Sequence, residues 1–362
     1  EGCGVNIKNF FSVLLREFWG AGSLTIIALI GAYFVGARFG SENAWASVVA
    51  VLILVVFEVS ISFDNAVVNA MVLKKQSAAF RIAFLTIGYL IAVVGVRLIL
   101  PFLIVSFTTG LSFTHVYDMA VNNPDEYSHQ LHLHHAEIMM FGGAFLMMVA
   151  LTWLFDHERK VHWLGWLETK LGQLGHLSMF AVGLNLVLIL LVTFTLPEEK
   201  RYASLLAGIF GVTIYIIVGS LGDVLGGEEE HVQTAKRGLT ATLGAFMYLE
   251  VLDASFSFDG VIGAFAISKD IFIIMIGLGV GAQWVRTLTV YFVKRDTLSE
   301  YRYLEHGAHW AILALASLMF VSALHEVPEV VTGLIGFVLI SLAFISSLVA
   351  RRREQAAGDA HH

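Results

Sequence analysis

Apolar runs long enough to cross a bilayer recur from one end of this sequence to the other, and they leave few folds open. A helix needs about 20 apolar residues to cross a hydrocarbon core about 30 Å thick. Inside that core every backbone N–H and C=O must find a partner within its own segment, so such runs are read as helices. Composition agrees: 57% of the 362 residues are hydrophobic and 14% are charged, whereas a soluble domain carries about a quarter charged. The runs predict an all-α polytopic membrane protein of ten helices, near 20–38, 45–73, 79–107, 134–155, 175–197, 202–223, 238–264, 270–293, 304–325 and 328–350. Pro101 falls inside the third. The apolar excess is spread along the chain, so it does not read as a cleavable signal ahead of a soluble domain.

Lysine and arginine set the orientation, because they collect in cytoplasmic loops. Sixteen of the 22 fall on one side: Lys8, Arg16, Lys74, Lys75, Arg81, Arg159, Lys160, Lys170, Lys236, Arg237, Lys294, Arg295, Arg302 and Arg351 to Arg353. Four fall on the other, Arg38, Lys200, Arg201 and Lys269. Both termini are therefore expected in the cytoplasm. The loop at 108–133 has no Lys or Arg and is expected to face outward. It holds His115, Asp118, Asp125, Glu126, His129 and His132, which read either as a cation-capturing loop or as a solvated, locally folded one. The segment 156–174 interleaves aromatic and charged residues and reads as an interfacial amphipathic helix. The net charge of −7 argues against a nucleic-acid partner. A single cysteine, Cys3, excludes an internal disulfide and a thiolate cluster.

Two of the apolar runs carry the same acidic motif. Helix two contains EVSISFDNAVV from Glu58, and helix seven contains DASFSFDGVIG from Asp253. Glu58 aligns with Asp253, Ser60 with Ser255, Ser62 with Ser257, Phe63 with Phe258 and Asp64 with Asp259, every pair 195 residues apart. The following helix in each copy holds a Val-Arg pair, Val96-Arg97 and Val285-Arg286, and the helix after that opens with Glu137 or Glu305. The chain therefore divides into a first membrane repeat at 1–200, a second at 201–350 and a cytoplasmic tail at 351–362. Five helices per repeat is an odd number, so the repeats are expected to be inverted, an arrangement that places transporter binding sites near the midplane.

A charged carboxylate in hydrocarbon costs at least about 2.5–3.5 kcal/mol on insertion scales, so it calls for a function or a partner. Asp64 lies ten residues before Lys74 and Asp259 ten before Lys269, about 15 Å from a membrane edge at 1.5 Å per residue. Glu58, Ser62 and Asn65 share one helix face, and Glu250, Asp253 and Ser257 form a similar stripe. Asp64 falls off that face in a regular helix. Either it lies at the edge of the site, or the helix unwinds between Ser60 and Asn65, and Gly260 and Gly263 would ease such a break in helix seven. Glu58, Asp64, Asp253 and Asp259 sum to −4, and Arg97 with Arg286 returns +2, leaving the charge one divalent cation would balance. Carboxylate, amide and hydroxyl oxygens suit manganese, calcium or magnesium. The competing reading is a buried ion-pair network that fixes helix packing. Glu137 and Glu305 read equally well as accessory ligands or as carboxylates favoured at helix starts. No substrate pocket is readable, so the acids are not read as the acid and base of an enzyme, and no organic cofactor is expected.

The run Glu58, Ser62, Asp64, Asn65 and its FSFDG counterpart resemble the signature of the TerC family of integral membrane proteins, in a branch catalogued as a domain of unknown function. The resemblance covers about residues 45–350. It implies a bacterial inner-membrane exporter of a divalent cation, manganese above all, with the ion as substrate. It extends to Glu58, Asp64, Asn65, Asp253 and Asp259 as ligands, with Ser62, Ser257 and Glu250 beside them. Gly260 stands where the first copy has Asn65, so one amide ligand is absent from the second. The alternatives are a calcium or proton-coupled transporter of another cation, and a non-transporting membrane scaffold.

Overall fold

The computed structural model describes residues 7–38, 40–74, 76–157, 159, 161–176, 179–226, 239–265, 267–294, 301–325 and 327–359. Among them no strand occurs and nearly all of the chain is helical, as expected for a polytopic all-α membrane protein. Helix is found at all ten expected places. Eight of the helices are long and apolar enough to span a membrane among the described residues. They include α1 (Ile7–Ala37) and α2 (Ser41–Ile61), α8 (His135–Leu154), α11 (Glu198–Gly226), α13 (Ile271–Lys294), α14 (Leu304–Ser322) and α15 (Glu329–Asp359). Two expected spans differ from these. Helix α10 (Phe180–Thr195) has 16 residues, about 24 Å at 1.5 Å per residue. Helix α12 (Leu239–Ala264) has 26 residues but carries Glu250, Asp253 and Asp259.

The second expected helix is interrupted at Ser62 (φ −101°, ψ 17°), and α3 runs from Phe63 to Lys74. The break is one residue wide, because the Ser62 N–H still reaches Glu58 O at 3.0 Å and the Ala66 N–H reaches Ser62 O at 3.2 Å. Arg81 closes the far end of α3 by donating to Leu73 O at 3.2 Å and Lys74 O at 3.1 Å, as a cation at a helix C-terminus does.

The third span is helical from Ala78 to Thr109. It comprises α4 (Ala78–Ala83), π-helical turns at Phe84–Gly88 and Ile91–Ile99, and α5 (Leu100–Thr109). Pro101 has no N–H to give the preceding turn and crowds its carbonyls. The wider π winding just before it accommodates that loss. Gly110, at φ 70°, ends the span in the left-handed region that favours glycine.

The outward segment is folded rather than extended. Helices α6 (Phe113–Asn122) and α7 (Pro124–Leu133) bury Val116, Ala120, Tyr127 and Leu131. The Tyr127 ring sits 5.3 Å from Phe102 and 5.7 Å from Phe265. In the 156–174 segment the helix is short, α9 (Gly165–Gln173). It exposes Trp166 but is pinned to the protein by a fully buried Glu168, which an amphipathic helix lying free on the interface would not be.

Helix α8 is the most enclosed span, with 78% of its apolar window buried against 11% for the Glu17–Ala37 part of α1. Helices α8 and α14 are antiparallel. His135 Nε2 lies 3.0 Å from Ser322 Oγ at one end, and Trp153 stacks on His309 at 4.2 Å at the other. The third span and α13 are also antiparallel: Tyr89 Oη donates to Gly279 O at 3.2 Å, and Arg286 Nη1 to Phe84 O at 2.5 Å. Helices α2 and α13 run parallel, with Leu54 and Glu58 of α2 seated on glycines of α13. A Cβ on Gly277 would fall 2.4 Å from Leu54 Cβ, and one on Gly281 2.5 Å from Glu58 Cβ. These two glycines, four residues apart, form the close-approach seam common between membrane helices.

Candidate functional site

The motif helices cross antiparallel as well. Arg97, on the third span, bridges Glu58 of α2 and Ser257 of α12, while Asn65 of α3 meets Asp253. As numbers rise along α2 and α3 they fall along α12. All three sets of matched helices therefore pair with opposite sense, which is what inversion of the two motif-bearing halves requires.

Two acid levels lie along this crossing. At the first, Glu58 is fully buried and its Oε1 accepts from Arg97 Nη2 and from Ser62 Oγ at 3.1 Å. The same Arg97 Nη2 donates to Ser257 Oγ at 3.0 Å, and Nη1 donates to Ala92 O at 2.9 Å within the π-helical turn. At the second, Asp253 Oδ1 accepts from Asn65 Nδ2 at 2.6 Å and Oδ2 from Arg286 Nη2 at 3.4 Å. Glu250 Oε1 lies 3.5 Å from the same nitrogen. Arg286 is fixed further by Phe84, whose ring centre is 4.1 Å from the guanidinium carbon. Each acid is thus held by the arginine of the span that follows its own helix, the Val-Arg pair seen in both copies.

Asp64 stands apart. It occupies the first turn of α3, where exposed N–H groups favour a carboxylate, and its Oδ1 accepts from the Asn65 N–H at 2.9 Å. It borders a cavity of about 20 Å³ lined by Ile61, Ser255, Met319, Thr332 and Gly333, among others, room for about one water. It makes no ion pair among the described residues. Of the two options open for Asp64, a site edge or an unwound helix, the fold shows a one-residue break with the carboxylate on the far side. The side chain of Asp259 lies outside the described residues. Helix α12 has no break beside Gly260 or Gly263. Glu137 and Glu305 begin α8 and α14, so the antiparallel pairing puts them at opposite ends of that pair. Glu137 lies 3.8 Å from His134, and Glu305 is exposed. Among the described residues no three His, Cys, Asp or Glu side chains converge to hold a metal ion.

Two features go beyond the residues that sequence reasoning selected. Asn69 on α3 is 1% exposed, and its Oδ1 has no hydrogen-bond partner. It follows Asn65 by four residues on the same face, a spacing visible in the sequence. The other is Glu168, which accepts from the backbone N–H groups of Trp163 at 3.0 Å and Leu164 at 3.4 Å and from Trp310 Nε1 at 2.9 Å. His306 Nδ1 lies 2.9 Å from its Oε2. Burial pushes the Glu168 carboxyl up, but the Trp310 hydrogen bond, the His306 charge and the two backbone donors outweigh it and hold the group below its ordinary range. No periodicity announces a contact across 138 residues.

A family model described as "Protein of unknown function (DUF475)" matches residues 63–354. The chain is also similar to the "Uncharacterized membrane protein YceF" of Bacillus subtilis (strain 168). The two are 29% identical over 199 residues, 46% of this chain and 74% of that protein. No solved structure matches.

Proposed function

The chain belongs to the DUF475 family, and from that premise we propose that it transports a divalent metal cation, with manganese efflux from a bacterial cytoplasm as the leading case. One observation carries the reading. Two acid–arginine levels lie buried on antiparallel motif helices, with acceptor oxygens left over at both. Glu58 Oε2, Asn65 Oδ1 and both Glu250 oxygens are buried without hydrogen-bond partners. A buried acceptor left unpaired costs about 1–3 kcal/mol, a cost that a bound cation removes. Every one of these ligands is oxygen, which suits manganese, calcium or magnesium. If all are ionised, the −5 of Glu58, Asp64, Glu250, Asp253 and Asp259 against the +2 of Arg97 and Arg286 leaves −3, which one divalent cation and one proton would balance. The resemblance to the TerC family points to manganese among these ions.

In this reading the arginines occupy the acids when the ion is absent, and the ion displaces them as it binds. The two inverted halves then alternate access to the site, with both termini in the cytoplasm of a bacterium. Manganese flux into proteoliposomes tests it. Asp64→Asn, Asp259→Asn and Glu58→Gln should each cut flux at least about tenfold, the scale of losses at metal sites. Undiminished flux in all three would sink the proposal. A second reading, an ion-pair network that only fixes packing, is favoured by the absence of three converging ligands among the described residues. It predicts no flux above empty vesicles in the wild type.

A further inference from the structure

The two acid levels leave Asn69 unexplained. A buried asparagine with an unpaired carbonyl is costly, and such a group calls for a partner. The Asn65 amide donates to a carboxylate, which fixes its nitrogen there and leaves its Oδ1 as the unpaired atom. Asn69 lies one turn beyond Asn65 along α3. Glu250 lies about one turn before Asp253 along α12. Because the helices are antiparallel, both steps lead the same way, toward the Lys74 end, and bring Asn69 to the level of Glu250. One turn is about 5.4 Å. Both Glu250 oxygens are buried without a hydrogen bond, and Oε1 is ion-paired with Arg286 Nη2 at 3.5 Å. A side chain on Gly88 would overlap Glu250 Oε1 and lie 2.8 Å from Arg286 Nη1, so glycine at 88 gives these two side chains their room. Starting beside it and continuing toward Lys74, Ala70, Leu73, Phe80, Phe84, Leu249 and Val293 form a separate apolar cluster.

We infer that Asn69 and Glu250 form a second binding level for a hard divalent cation, one turn from the Asn65–Asp253 contact and stopped on the Lys74 side by that apolar cluster. The inference rests on the transport reading. In efflux the ion would enter from the Lys74 side when the cluster parts, meet Asn69 Oδ1 and Glu250 first, and pass on to Glu58 Oε2 and Asn65 Oδ1. An amide and a carboxylate oxygen are the donors such an ion takes.

The test is the initial rate of manganese flux against manganese concentration, in proteoliposomes of the full chain. Asn69→Leu keeps the volume and removes the acceptor, and should raise KM at least about tenfold. Asn69→Asp restores an acceptor and should keep KM close to that of the wild type. A purely structural asparagine would not be rescued by aspartate. If Asn69→Leu does not give a monodisperse protein, Asn69→Ala is held to the same criterion. Manganese density in the wild-type protein gives an independent measure. Density beside Asn69 and Glu250 supports the level, and density confined to Glu58 and Asp253 overturns it. Wild-type flux with an unchanged KM in the Asn69 variants removes this level alone. No wild-type flux removes the transport reading and this inference with it.

Discussion

The two copies of the acidic motif share their residues but not their shape. The first is broken at Ser62, so that Asp64 and Asn65 open a new helix; the second lies inside one unbroken helix, α12. Asp64 borders a cavity with Ser255, Thr332 and Met319, while Asn65 crosses to Asp253. Where the first copy has Asn65, the second has Gly260. A Cβ there would lie 2.8 Å from Ile61 Cδ1 and 3.4 Å from Glu58 Oε2, so asparagine has little room. One copy supplies a helix terminus and the other a wall against which it packs. A repeated string therefore need not mean a repeated role.

The sharpest way to break this comparison is to remove each arginine. Taking one partner from a buried ion pair costs about 3–5 kcal/mol. Arg97→Ala should lose most of its folded, monodisperse yield. Arg286→Ala should lose less, because its acids stand at 3.4 and 3.5 Å and Asp253 keeps the Asn65 amide. Thermal midpoints in detergent decide it, and equal losses would erase the asymmetry. Arg97→Ala combined with Glu58→Ala should recover much of the loss. Next, Gly281→Leu should destabilise by about 1–3 kcal/mol through overpacking. Gly260→Ala should cost less, because the end of the Ile61 side chain can move while Glu58 Cβ cannot. Smaller still, Ser62→Ala removes one hydrogen bond to Glu58, worth about 1 kcal/mol, and should lower the midpoint by only a few degrees.

The mildest test lies outside both copies. Glu168 is held below its ordinary value of 4.5. Its stabilising effect is therefore complete above that value and lost as pH falls through the folded one. The wild-type midpoint should drop on going from about pH 5 to about pH 3, and Glu168→Gln should flatten that drop. The gap between the two arginine variants should stay the same in a Glu168→Gln background.

Much of this was legible in the sequence. Apolar runs located the helices because lipid leaves a backbone no other choice. Lysine bias and an odd helix count led to the expectation of inversion, and the three antiparallel pairs have the sense it requires. The mismatch of Asp64 with the Glu58 face signalled trouble near Ser62. What was hidden depended on contacts between distant segments: Arg97 reaching across to Ser257, Trp310 and His306 closing on Glu168, and the division of the acids into two levels with Asp64 outside both. The π-helical winding before Pro101 also left no mark in hydropathy, which counts residues and not turns.

The glycine seam between α2 and α13 has a mechanical consequence. Two helices that meet with Leu54 seated on Gly277 and Glu58 on Gly281 cannot glide smoothly past each other, because every intermediate register drives a side chain into the facing helix. The next comfortable setting is four residues away, about 6 Å. Over shorter distances α2 and α13 must travel as one rod, carrying Glu58 and Arg286 together. Any motion that uncovers the acids must then be a rotation of that rod against α12, across the contacts that Arg286 makes with Asp253 and Glu250.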